Sequence, residues 1–150
     1  MSTYSFRTTW RVPAAPERCW AELEALATGA ARSWWPGLRV IAPAPRMEPG
    51  AEVVAAVRAP FGYGLRFALR ITRAEGCGAV EAVSTGDLDG RGAVELRHRD
   101  AGCEIRFTWD VAVRRRWMIA SGPVLRPVFS LAHLLVMRAG RRGLRRALVR

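Results

Sequence analysis

No lysine, asparagine or glutamine occurs anywhere in the 150 residues, and histidine occurs only twice, as His98 and His133. These absences remove whole chemistries. There is no Schiff-base or P-loop lysine, and no side-chain carboxamide to help build an oxyanion hole. G-x-S-x-G, H-E-x-x-H and a glycine-rich phosphate loop are missing as well. The chain thus offers no catalytic motif, no cofactor-binding motif and no metal-ligating set. Cys19, Cys77 and Cys103 are odd in number and widely spaced, with no C-x-x-C. That argues against a disulfide framework or a zinc site and leaves buried free thiols as the expectation. No apolar run approaches the roughly 20 residues that cross a bilayer. The opening MSTYSFRTTWRV has no apolar stretch of signal-peptide kind, so a cytoplasmic protein is expected.

What is present is arginine. All 24 basic residues are arginine against 13 carboxylates, giving a net charge of +11. Such an excess favours encounters with anions without naming one, and a GC-rich codon bias would produce it too. Half the residues are hydrophobic and a quarter charged, a globular composition. Residues 1–150 are read as a single domain, long enough to bury a core.

TYSFRTTWRV alternates, with Tyr4, Phe6, Thr8, Trp10 and Val12 on one face, and predicts a half-buried strand. PAAPERCWAELEALATG follows as a helix. Pro16 stands near its start, Trp20, Leu23, Leu26 and Ala27 form an apolar stripe, and Gly29 is the stop. Ala15 cannot cap it, so the helix must lean on packing. ARSWWPGLRVIAPAP reads as a short helix or turn and a brief strand. Five further strands are expected in AEVVAAVRAP, YGLRFALRITR, GAVEAVSTG, GAVELRHR and CEIRFTWDVAV. They are separated by hairpin-type breaks at FG, EGCG, DLDG and DAG. Asp87 and Asp89 in GDLDG read as turn formers. Leu65, Phe67, Leu69 and Ile71 share one strand face, as do Cys103, Ile105, Phe107, Trp109, Val111 and Val113. Arg66, Arg70, Glu104, Arg106 and Asp110 lie on the opposite, wet faces.

A single antiparallel sheet with one dry face needs a cover. The cover is FSLAHLLVMRAGRRGLRRAL, where Phe129, His133, Val136, Met137, Gly140 and Leu144 fall on one side at about 100° per residue. The whole is an α+β domain.

These words in this order, VPAAPERCWAEL, WWPG, LRFALRITRAE, TGDLDGRGAVEL, FTWDVAV and RPVFSLAHLLVMRAGRRGLRRAL, resemble the START/Bet v1-like (SRPBCC) superfamily, in particular its polyketide cyclase/dehydrase and lipid-transport branch. The resemblance covers nearly the whole chain. It implies a helix-grip fold: a curved antiparallel sheet of about seven strands wrapped around a long C-terminal helix, with two short helices after the first strand and an apolar cavity inside. Related chains often carry an Asn-His pair in the final helix. Here Ala132 precedes His133, so half of that polar handle is missing, and Leu134 stands where a more polar residue is expected.

Several residues are candidates for that cavity. For Trp34 and Trp35, beside Pro36-Gly37, one structural plug and one pocket wall are expected. Phe61 and Tyr63, in a glycine-flexed turn, are gate candidates. Phe67, Trp109, Phe129 and Met137 face inward as core that doubles as pocket wall. His133 is the sharpest candidate, placed to hydrogen-bond a ligand or move a proton; a satisfied core histidine is the commoner alternative. His98 is read as solvated.

The leading expectation is a carrier of an apolar or aromatic small molecule such as a lipid or polyketide, needing no cofactor. The alternative that the resemblance supplies is a cyclase/dehydratase-type enzyme using the same cavity. A third rests on the outside. Val128, Leu131 and Leu135 continue into Arg138, Arg142 and Arg145 on the helix face away from His133. With Arg114, Arg115 and Arg116 they form a basic surface suited to an anionic membrane or a ribosome. The apolar end of that stripe is also a candidate homodimer contact, and the face could equally be plain solvated surface. Nucleic acid ranks lower, since aromatics are not interleaved with the arginines.

Overall fold

The computed structural model describes residues 3–30, 33–76 and 78–149, and their side chains except at 117 and 121–123. Cys77, read above as a buried thiol, lies outside the described residues. Seven strands and two helices follow in the order β1 (Thr3–Val12), α1 (Pro16–Thr28), β2 (Leu38–Ala42), β3 (Glu52–Arg58), β4 (Gly64–Glu75), β5 (Ala79–Gly86), β6 (Leu88–Arg99), β7 (Gly102–Val113) and α2 (Arg116–Leu148). They form one antiparallel sheet in the order β1-β7-β6-β5-β4-β3-β2, so the first strand closes onto the last. This is the helix-grip architecture: a curved sheet around a long final helix.

Of the two short helices expected after the first strand, one is α1. It starts on Pro16 without a side-chain cap at Ala15 and stops at Gly29, whose φ of 73° accepts the left-handed conformation. Cys19, Trp20 and Leu26 are the buried face that holds it. The second segment falls partly on undescribed Ala31 and Arg32, and its described part, Ser33–Gly37, has no helix and turns at Pro36-Gly37. That turn is tightly held: Gly37 accepts the Arg58 backbone N–H at 2.7 Å, and Trp35 accepts that of Leu38 at 3.1 Å.

Two boundaries depart from the sequence expectation. DLDG is not a hairpin turn, because β6 already begins at Leu88 and Asp87 alone separates it from β5. β5 stays paired with β4 as far as Gly86, and β6 with β7 back to Leu88, so the chain turns a corner within the sheet. Gly86, at φ 103°, makes the corner possible, since a Cβ there would meet the Arg66 carbonyl. Asp87 then bonds β4 both ways: its carboxylate accepts the Arg66 N–H at 2.8 Å and its own N–H donates to the Arg66 carbonyl at 3.0 Å. Asp89 is a strand residue paired with Arg114 at 3.1 Å. The second departure is α2, which starts at Arg116, well before its apolar stripe, and runs 33 residues, about 50 Å. It passes through Pro123 and Pro127, each of which withholds a backbone donor.

The core divides in two. Around Trp10, Cys19, Trp20, Trp34, Ile105 and Leu144 it is solidly packed where α1, α2 and β7 converge. Leu144 and Ile105 are fully buried, each contributing about 1.5–3 kcal/mol. The second cluster, with Tyr4, Phe67, Val111, Met118 and Phe129, surrounds open space. On the outer sheet face Glu104 is covered by Arg99, Arg106 and Arg11 at 2.8, 3.2 and 3.6 Å. Desolvation raises its pKa, but the three guanidiniums outweigh that and hold it below the usual carboxylate value.

Candidate functional site

The open space is an internal cavity of about 340 Å³ between the concave face of the sheet, α1 and α2. That falls within the range of roughly 300–1,000 Å³ typical of small-molecule sites. Strand alternation builds it. Phe67, Leu69, Ile71, Phe107, Trp109, Val111 and Val113 turn inward, as their period of two predicts, while Leu23, Leu26 and Ala27 of α1 close one side. No described lining residue is charged. Its polar groups are Tyr4, Thr8, Tyr63, Thr108 and His133.

The paired tryptophans separate. Trp34 is buried outside the cavity and donates its indole N–H to the Glu22 carbonyl at 3.2 Å. Trp35 stacks on it, with ring centroids 5.7 Å apart, and lines the cavity. The Trp35 indole N–H donates to the Val136 carbonyl of α2 at 2.9 Å. Two glycines on α2 receive the pair. A Cβ on Gly140 would overlap the Trp35 indole, and one on Gly143 would overlap the Trp34 carbonyl. The helix is therefore seated against the Trp34-Trp35 turn in one register.

Tyr63, Phe67, Trp109, Phe129, His133 and Met137 all line the cavity. Phe61 does not; it is 61% exposed, with φ at 75°, on the β3–β4 loop. In that loop the Ala59 N–H closes on the Tyr63 carbonyl at 2.9 Å, sending Tyr63 inward and Phe61 out. Arg115 holds this end together, donating to the Gly64 carbonyl at 3.0 Å and pairing with Asp87 at 3.4 Å. Arg114, Arg116, Arg138, Arg142 and Arg145 are exposed, as is Arg115.

His133 lies flat on Phe6, with ring centroids 3.8 Å apart and planes 8° from parallel. Burial in these apolar surroundings lowers its pKa from 6.5 to about 4, so the imidazole is neutral at pH 7. It can then donate from one ring nitrogen and accept at the other. On the preceding residue, Ala132 is wholly buried against the cavity, and Leu134 is 45% exposed.

Tyr4 is the residue that the sequence reading did not single out. It is 5% exposed, and its hydroxyl has no hydrogen-bond partner among the described residues. Its ring is held on three sides: stacked on Phe6 at 5.7 Å, edge-on to Phe129 at 6.4 Å, and covered by the Arg126 guanidinium at 4.3 Å. Burial raises its pKa against the opposing pull of Arg126, and burial followed by the charge of Tyr4 raises that of Tyr63. Both phenols are neutral donors at pH 7. A tyrosine in an otherwise dry alternating face was the available signal. Among the described residues no group of three His, Cys, Asp or Glu gathers to hold a metal.

No protein-family model matches this chain, and no curated protein matches it. Solved structures do. A protein of Thermus thermophilus is similar over 97% of both chains, with a TM-score of 0.73 at 16% identity. The Zhui aromatase/cyclase from a Streptomyces species is similar over 99% of this chain and 95% of its own, with a TM-score of 0.71 at 13% identity. Ara h 8.0201 is similar over 99% of both chains, with a TM-score of 0.66 at 10% identity. At these identities the likeness is one of fold. The chain shares its helix-grip fold with these solved structures.

Proposed function

We propose that this protein binds and carries a neutral, largely apolar small molecule, a lipid or an aromatic polyketide-like compound, in the internal cavity. The observation that carries the reading is a space of about 340 Å³ with aromatic walls and, among the described residues, no charged side chain in its lining. A ligand ion buried there would find no countercharge, whereas rings and alkyl chains gain from leaving water. Tyr4 and His133, which flank Phe6, orient the ligand by hydrogen bonds to its carbonyl or hydroxyl groups. Neither residue alone would bind it; desolvation supplies most of the affinity.

A cyclase/dehydratase activity in the same cavity is the second reading, favoured by the neutral imidazole in the cavity wall and by fold likeness to an aromatase/cyclase. A general base works best with a pKa near the working pH. At about 4, His133 is a poor base, though a sound hydrogen-bond donor to a carbonyl. That places the carrier reading ahead.

Native mass spectrometry of freshly purified protein, followed by solvent extraction, tests the proposal. A discrete added mass that leaves on denaturation supports it. A clean apo mass, with no thermal shift from a panel of neutral lipids and polycyclic phenols, overturns it. Turnover of a bound polyketide that is lost in His133→Phe while binding persists would move the assignment to the enzyme.

A further inference from the structure

We infer that the outer face of α2 is a docking surface for an anionic lipid bilayer. On the side of the helix opposite His133, Leu131 and Leu135 are 47% and 37% exposed, and Leu134, about 100° round the helix from His133 at the edge of that side, is 45% exposed. The same face continues through Arg138, Arg142 and Arg145, all exposed. None of these three guanidiniums enters a salt bridge among the described residues. No aspartate or glutamate occurs anywhere in α2. Apolar and basic groups thus lie end to end on one rigid rod, over about 20 Å at 1.5 Å per residue.

Charge decides among the occupants. A second copy docked on this face would set guanidiniums against guanidiniums in parallel packing, or against leucines in antiparallel packing. Neither arrangement offers an acid to pair with. A nucleic acid would satisfy the arginines and leave three leucines idle in water. A bilayer bearing anionic headgroups takes both: phosphates meet the guanidiniums, and the leucines enter the acyl boundary. The opposite face of the same helix lines the cavity through Phe129, His133 and Met137. Docking therefore leaves a single helix, about 10 Å across, between the ligand and the apolar phase. The inference stands on the outer surface alone and is independent of what the cavity holds.

Flotation of the full chain with phosphatidylcholine vesicles, with and without about one-third phosphatidylglycerol, is the test. Binding is expected only to the anionic vesicles, and should fall at least about tenfold at about 1 M salt, where the Debye length is about 3 Å. Leu131→Ser/Leu134→Ser/Leu135→Ser should reduce binding at constant salt, and Arg138→Glu/Arg142→Glu/Arg145→Glu should abolish it. Circular dichroism checks that each variant folds, and single Arg→Ala changes replace the triple if it does not. Absence of flotation overturns the inference. So does a leucine triple that binds anionic vesicles as well as wild type while RNA competes for the protein, which would mark a polyanion patch. A dimer in light scattering that the leucine triple dissociates, without vesicle binding, would identify a second copy instead.

Discussion

Acidification from pH 7 to pH 5 should weaken this fold through one side chain. His133 is held near pKa 4 by burial, against 6.5 for an ordinary imidazole. The unfolded chain therefore takes up a proton at a pH where the folded chain does not. A depressed histidine contributes stability that is complete above the unfolded value and is lost as pH falls toward the folded one. The gap corresponds to about 3 kcal/mol in full, and to about 2 kcal/mol by pH 5. Urea denaturation at pH 7.5, 6.5, 5.5 and 5.0 reads the loss directly. His133→Phe keeps a flat ring on Phe6 and removes the titration, so its stability should vary less with pH by that amount. Glu104, held low against desolvation by its arginine partners, and Asp110, held low by Ser5 and Arg7, both titrate below the ordinary carboxylate values and so below this window. Equal pH slopes in wild type and His133→Phe, or an NMR titration of His133 centred near 6.5, would refute the reasoning.

Three further outcomes follow from particular atoms. Tyr4→Phe removes an unpartnered buried hydroxyl, so the ligand-free protein should be as stable as wild type or up to about 1 kcal/mol more stable. Retention of a hydroxyl- or carbonyl-bearing ligand in native mass spectrometry should meanwhile drop about 2- to 10-fold. A clear loss of stability in that variant would mean that the hydroxyl has a partner in solution. Gly143→Ala forces a methyl against the Trp34 carbonyl and should cost about 1–3 kcal/mol in urea denaturation, with a change in near-ultraviolet dichroism; wild-type behaviour would show that the helix sits elsewhere. Cys19 is buried, and its thiol is pushed up to about 12 by burial and by neighbouring Cys103. Peptide mapping after iodoacetamide at pH 8 should find Cys19 and Cys103 unmodified until urea is added; labelling of the native protein would contradict the packing of α1 on β7.

Much of this was legible because periodicity reports faces. β1, the inward residues of β4 and β7, and the His133 side of α2 follow from period two and period 3.6 alone. Gly29 marked the end of α1 because few other residues take its conformation. Other features depend on contacts between distant segments. GDLDG has turn composition, yet its corner is made by Arg66 of β4, 21 residues back along the chain from Asp87. The start of α2 was hidden by Gly122, Pro123 and Pro127, which read as breakers locally while the helix continues. Trp34 and Trp35 are adjacent and identical in type, and only the glycine seat on α2 decides which of them meets the cavity. Alternation placed Tyr4 on the dry face, but no pattern reveals that a hydroxyl will find nothing to bond.

The division of the interior into a dense half and a hollow half has a consequence for how such a chain can change. Side chains around Trp10, Cys19 and Leu144 are interlocked, so a substitution there is penalised whatever the protein binds. Around Phe67, Trp109 and Met118 a wall residue borders the cavity, and a larger or smaller one alters the mould before it threatens the fold. New ligand preferences are thus accessible by single steps along the hollow half, with persistence of the molecule secured by the other.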